Sequence, residues 1–223
     1  MRPWPLLIAL VLALAPFALA EEASKAGAVP PAPAGLEGGD PIPAGAATIE
    51  FPWIGKQSIT ATSDAFERMV AQVDFSNDAH PALGSITLDG KGGGSGSFAV
   101  KVADLITGNA SRDEHLRSAT WLDAEKLPDI KLEVTALTQL KPTVWHMEGT
   151  WTMHGVTKPI SAHANVRYME EMYRLGKDVV RVKASFDVSL TAHGVNAPGV
   201  GSPAVADTWR VDVVLLGLMK KAS

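Results

Sequence analysis

The chain has 223 residues, 46 % of them apolar, with 20 basic and 24 acidic side chains and no cysteine. That composition supplies a core for one large domain or two small ones and does not describe a disordered chain. The mild negative charge excludes the basic patch of a nucleic-acid binder, and the lack of cysteine excludes both disulfide staples and a lipoprotein anchor.

Residues 1–20 read as a secretory signal peptide. Arg2 is the sole charge, residues 6–15 are unbroken apolar sequence, and Ala18-Leu19-Ala20 precedes Glu21, so cleavage is expected after Ala20. A membrane-spanning helix needs about 20 apolar residues, and Pro16 interrupts this run. Residues 21–46 are rich in Ala, Pro and Gly and show no periodicity, which predicts a flexible linker. Export without disulfides fits a bacterial envelope, and the expected location is the periplasm.

From residue 47 to about 220 the pattern has a period of two, the mark of half-buried strands. Weaker strands are predicted at 48–54, 57–62, 66–75 and 83–89. The glycine-rich stretch 92–96 joins two strands and reads as a hairpin loop, since no helix follows it to offer a phosphate site. Phe98, Val100 and Val102 alternate with polar or small neighbours, as do Ile130, Leu132 and Val134. Residues 145–153 and 160–168 repeat the pattern, and 180–190 is the clearest case, with Val180, Val182, Ala184, Phe186, Val188 and Leu190 on one face. Residues 209–215 close the series. One helix interrupts it: Ser111 and Glu114 have capping-box spacing, and Pro128 prevents continuation. Long strands with one apolar face bury it by closing into a barrel. The fold class expected is therefore an all-β, antiparallel barrel of about eight strands with one short helix in a loop.

Antiparallel connectivity places the helix-bearing loop 106–129, the turn at His154 and the loop from His193 at one end of the barrel. Two of these loops repeat Thr-x-His-Gly-Val-x-x-Pro, at 152–159 and at 191–198. Gly and Pro there are turn chemistry. His115, His154 and His193 share the rim but lack short metal-ligand spacing. They read as loop ties or as polar contacts for a ligand head group, with no metal, catalytic residue or cofactor assigned.

The ordered set Thr107-Gly108-Asn109, Arg112-Asp113-x-His115-Leu116-x-Ser118, Leu127-Pro128-Asp129-Ile130, Gly149 and His154 to Pro159 resembles the YceI-like polyisoprenoid-binding family. The resemblance implies an eight-stranded, lipocalin-like periplasmic barrel whose apolar tunnel holds a polyisoprenoid, such as an isoprenoid quinone. Two departures stand out: residues 68–72 replace the family's Gly-x-Phe step, and Leu132 stands where Phe is common.

On that reading Phe98, Val100, Trp145, Met147, Trp151 and Ile160 line the tunnel. So do Val182, Phe186, Val188, Trp209 and Val211. Arg112, His115, His154 and His193 sit at its mouth, although for Arg112 an ion pair with Asp113 or Asp123 is the favoured alternative. The partner is a long-chain isoprenoid lipid, with transient membrane contact and no nucleic acid, and the protein is a monomer or a homodimer. Two other functions fit the same sequence: a barrel enzyme using the rim histidines, with or without metal, and a filled barrel acting as an envelope-stress or interaction module.

Overall fold

The structure, a computed structural model, describes residues 29, 31–65, 68–76, 80 and 82–222. The signal peptide expected over 1–20 and the first part of the linker lie outside the described residues.

Eleven strands form one antiparallel sheet among the described residues. They are β1 (Ala46–Pro52), β2 (Ser58–Asp64), β3 (Arg68–Val73), β4 (Ala82–Asp89), β5 (Gly94–Lys101) and β6 (Leu105–Ile106). Then follow helix α1 (Ala110–Arg117), β7 (Asp129–Lys141), β8 (Val144–Met153), β9 (Val156–Met172), β10 (Gly176–Ser189) and β11 (Thr208–Lys221). Eight strands close a ring in the order β1-β4-β5-β7-β8-β9-β10-β11 and back to β1. The helix-bearing loop and the loops after β8 and β10 lie at one end, here the helix end. The short turns β4–β5, β7–β8 and β9–β10 lie at the other, the turn end.

β11 makes the closure. One edge pairs along its length with β10, from Ser189↔Thr208 to Val179↔Leu218. The opposite edge is divided. Its first half pairs with β2, from Trp209↔Ser63 to Val214↔Ser58, and its second half pairs with β1, from Glu50↔Leu218 to Ala47↔Lys221. β2 continues to β3, and β3 to the two-residue β6. Two consecutive strands, β1 and β2, therefore share one strand edge, and the backbone between them loses its ladder. Gln57, 7 % exposed, repairs it. Its side-chain amide donates to Pro52 O at 2.6 Å, and its Oε1 accepts from Leu216 N at 3.1 Å. Beside this break Trp53 packs on Phe75 and on the His80 ring, and His80 Nε2 lies 2.8 Å from the Asp104 carboxylate.

Alternation sets the inner face. Ile49 and Phe51 on β1, Val180 on β10 and Leu215 on β11 are buried in one cluster at the turn end. Phe186, Val188, Trp209 and Val211 belong to a second at the helix end. The coiling needs close approaches that only glycine permits. Gly149 stands opposite a bulge between Val134 and Ala136, and a Cβ on it would sit 2.1 Å from Glu133 O. A Cβ on Gly217 would sit 2.4 Å from Ile49.

Two local expectations differ from the structure. The helix begins at Ala110 and is capped by Asn109, whose side chain accepts from Arg112 N at 3.2 Å; Ser111 is the second helical residue rather than the cap. Both residue types cap well, and the extended backbone of Asn109 decides between them. The second difference lies in the linker. Residues 37–42 are laid against the barrel: Gly38 N donates to Thr143 Oγ1, Asn165 donates to Gly38 O, Glu37 pairs with Lys141, and Asp40 bridges to Tyr168. Ile42 then packs on the inner core.

Gln57→Leu keeps the volume and strips both hydrogen bonds from the seam. It is expected to cost about 2–4 kcal/mol in urea unfolding, because two buried backbone groups lose their partners. Glu50→Gln, which breaks the exposed pair with Lys220, is expected to change stability by less than about 1 kcal/mol.

Candidate functional site

The barrel encloses two apolar chambers stacked along its axis. The turn-end chamber measures about 1040 Å³, counting space continuous with solvent. Every side chain on its wall is apolar, from Ile42, Ile49 and Leu88 near the turns to Trp151, Phe186 and Val211 near the middle. The helix-end chamber measures about 670 Å³ and is again walled by apolar side chains alone. Leu116 on α1, with Trp121 and Leu122 just after it, forms its roof. Ile59, Val100, Ile130, Trp151 and Val211 border both chambers. At that waist the Trp151 and Phe186 rings meet edge to face, centroids 5.3 Å apart. Ligand sites are lined mostly by apolar groups; here no charged or polar residue lines the wall at all.

The residues assigned to the tunnel from sequence distribute between the chambers. Phe98, Trp145, Met147, Val182 and Phe186 border the turn-end chamber. Val188 and Trp209 border the helix-end chamber, and Val100, Trp151 and Val211 border both. Ile160 borders neither and packs, half-buried, against the helix-end core. Sequence reasoning missed Ile42, placed in the linker, and the roof formed by Leu116, Trp121 and Leu122. It also left Ile49 and Phe51 unassigned, although Ala47, Ile49 and Phe51 alternate plainly.

The rim residues lie elsewhere. Arg112 and His115 are exposed on α1, and none of the four rim residues borders a chamber. The helix is instead fastened by its neighbours. Asp113 accepts from Thr107 N at 2.7 Å and from Thr107 Oγ1 at 2.6 Å, and that hydroxyl holds the Asp113 carboxyl below the usual carboxylate range. Arg117 donates to Leu105 O at 2.9 Å, which seats the roof on β6. Asp123 pairs with Lys126.

The two copies of the histidine motif form different turns that dock on each other. His154 and Gly155 have φ of 51° and 72°, the two positive values of a tight hairpin turn between β8 and β9. Gly194, with φ 75°, instead ends the short 3-10 turn Thr191–His193. His154 Nδ1 donates to His193 O at 3.2 Å, and His193 Nδ1 donates to Ser189 O at 2.7 Å. The carbonyl acceptors fix the tautomer, since the bonded nitrogen must carry the proton. Among the described residues no group of three or more His, Cys, Asp or Glu converges as a metal site.

Asp207 anchors the same loop. Burial alone would raise its pKa, but the Thr191 N–H at 2.8 Å, the Ser189 hydroxyl at 2.7 Å and the Thr191 hydroxyl together hold it below its ordinary value of 3.8. A lowered folded pKa makes the stabilisation full above the unfolded pKa and removes it as pH falls through the folded one. Thermal melts of wild type and Asp207→Asn are expected to differ at pH 5 and to converge steadily below pH 4.

Comparison with known proteins gives a family and a fold. The model of the YceI-like domain matches residues 44–216. A UPF0312 protein of Pseudomonas putida is 31 % identical over 125 residues, covering 56 % of this chain and 62 % of that protein. One from Pseudomonas fluorescens is 32 % identical over 122 residues, covering 55 % and 61 %. The chain thus spans less than two thirds of these relatives. Among solved structures, BcnA of Burkholderia cenocepacia superposes with a TM-score of 0.53 at 17 % identity, over 75 % of this chain and 99 % of that one. A polyisoprenoid binding domain from Saccharophagus degradans, implicated in plant cell wall breakdown, gives 0.54 at 13 % identity, over 78 % and 98 %.

Proposed function

Because the chain belongs to the YceI-like family, we propose that it binds a long-chain polyisoprenoid or isoprenoid quinone inside the barrel, as a periplasmic carrier or storage protein that does no chemistry on its cargo. The observation that carries this reading is the wall itself: both chambers are lined by apolar side chains alone. Each buried CH₂ contributes about 0.8 kcal/mol, so each five-carbon isoprene unit brings about 4 kcal/mol before the costs of association. A few units suffice without any polar contact. The fold shared with the Saccharophagus degradans domain supports the class of ligand, and the signal peptide read from residues 1–20 supports the compartment. Loading from a membrane surface by transient contact follows from the insolubility of such a chain in water.

An enzyme using the rim histidines is a weaker reading. General acid–base chemistry requires the side chain within reach of the reacting group. His154 and His193 both spend Nδ1 on backbone carbonyls, and neither borders a chamber. The filled-barrel alternative requires an interior without space, whereas two apolar chambers lie inside the barrel.

The test is to purify residues 21–223 from a bacterial host without detergent, extract with organic solvent and analyse the extract by mass spectrometry. A prenyl chain or quinone near one equivalent per protein is the expected result. An empty extract, together with no uptake of added long-chain isoprenoid, overturns the reading. Ala184→Phe places a ring in the turn-end chamber and is expected to lower the recovered lipid at least about tenfold, because a filled wall leaves no room for the chain.

A further inference from the structure

β8 pairs with β9 as far as Val144↔Asn165, and β9 runs on to Met172, past the end of its neighbour. The segment before β1 takes up that edge. Asp40 bridges to Tyr168, whose N–H donates to Asp40 O at 2.8 Å. Six residues later the chain has reached Ala46, the start of β1. β1 lies three places on from β9 around the ring, past β10 and β11. Between these two points Ile42 packs on the inner core and lines the turn-end chamber. The chain therefore crosses the mouth of the barrel and does not follow its outside. Six extended residues reach about 20 Å, against about 14 Å for three strand spacings, so this strap has little slack.

The chemistry of the strap suits a moving part. Pro41 and Pro43 flank Ile42, have no N–H to bond and stiffen the middle. Gly39 and Gly45 stand on either side with φ of 87° and 118°, where glycine turns at no steric cost. Asp40, Pro41, Ala44 and Gly45 are exposed. Its fastenings are Gly38 to Thr143 and Asn165, Asp40 to Tyr168, and the Glu37–Lys141 pair, which is exposed and contributes little. The helix end is tied on more sides, by Asp113 to Thr107, Arg117 to Leu105, His154 to His193 and Asp207 to Thr191. We propose that residues 40–45 are a hinged gate on the turn-end chamber, which swings about Gly39 and Gly45 to withdraw Ile42 and let a guest pass while the ring of strands stays closed. This rests on the lipid-binding reading and adds to it the route of entry and release.

The chain has no cysteine, so Asp40→Cys combined with Tyr168→Cys can form a single disulfide, and opposed antiparallel residues lie within its reach. The double variant would be loaded with a four-isoprene prenyl alcohol. Transfer of that probe to phosphatidylcholine vesicles would be timed with the disulfide closed and again after reduction. The closed form is expected to transfer at least about tenfold more slowly, and the reduced form of the same chain controls for folding. Equal rates would mean that the guest passes elsewhere, which overturns the gate. Native-state hydrogen exchange supplies a second measurement on the wild type. The Tyr168 amide, held by the strap, is expected to exchange at least about tenfold faster than the Val180 amide in the ring. Equal protection of the two would mean that the strap opens only as the barrel unfolds, and the proposal would again fail. A wild-type protein that takes up no prenyl alcohol removes the lipid-binding reading and the gate with it; uptake followed by transfer that ignores the disulfide removes the gate alone.

Discussion

Everything inside this barrel depends on how β11 is paired. A strand in a closed ring has two edges, and each must find a full ladder, because unpaired backbone groups away from water are costly. β10 fills one edge of β11. No single strand fills the other; β2 and β1 take half each. That split lets two short consecutive strands do the work of one long strand, and it creates a break in the wall that needs repair. Gln57 repairs the backbone there, and Trp53, Phe75 and His80 cover it. Without the split, β3 and β6 would have no place in the sheet, and the helix-end chamber would lose the wall that Ala71, Val73 and Leu105 provide.

The closed ring also sets the chemistry of the interior wall. Alternation sends every second side chain inward, and along these strands the inward positions are apolar almost without exception. Water gains nothing by entering such a space. Charged intermediates would be poorly solvated in it. The same wall that disfavours chemistry suits a guest whose free energy comes from leaving water. Specificity for such a guest would come from shape and from aromatic surface.

The loop chemistry serves this interior indirectly. The run from Thr107 to His115 looks like a candidate binding motif, yet Asn109 caps α1, Asp113 ties back to Thr107, and Arg117 holds the roof to β6. The repeated histidine motif likewise acts on the backbone. One copy turns a hairpin, the other ends a 3-10 turn, and the two are stapled by His154. Such motifs keep a lid in register over a space that their histidines do not touch.

The sequence by itself determined the strands, their inner faces and the eight-stranded closure, because alternation and turn residues are local: Val180 to Val188 read correctly without any partner in view. Most of the wall was legible for the same reason, since a residue two positions from a wall residue faces the same way. Only the tertiary structure decided the rest. The split edge of β11 joins residues some 150 positions apart, and no local pattern encodes that two consecutive strands each take half of it. Ile42 became wall because its segment, which composition alone marks as linker, is pinned by Thr143 from a distant turn and Asn165 from a distant strand. Nor does periodicity reveal that Trp151 and Phe186, on strands separated by β9, meet at the waist between the two chambers. Facing direction is a property of each strand. Contact across the barrel depends on register, coil and the glycines that allow close approach, and those exist only once the ring is closed.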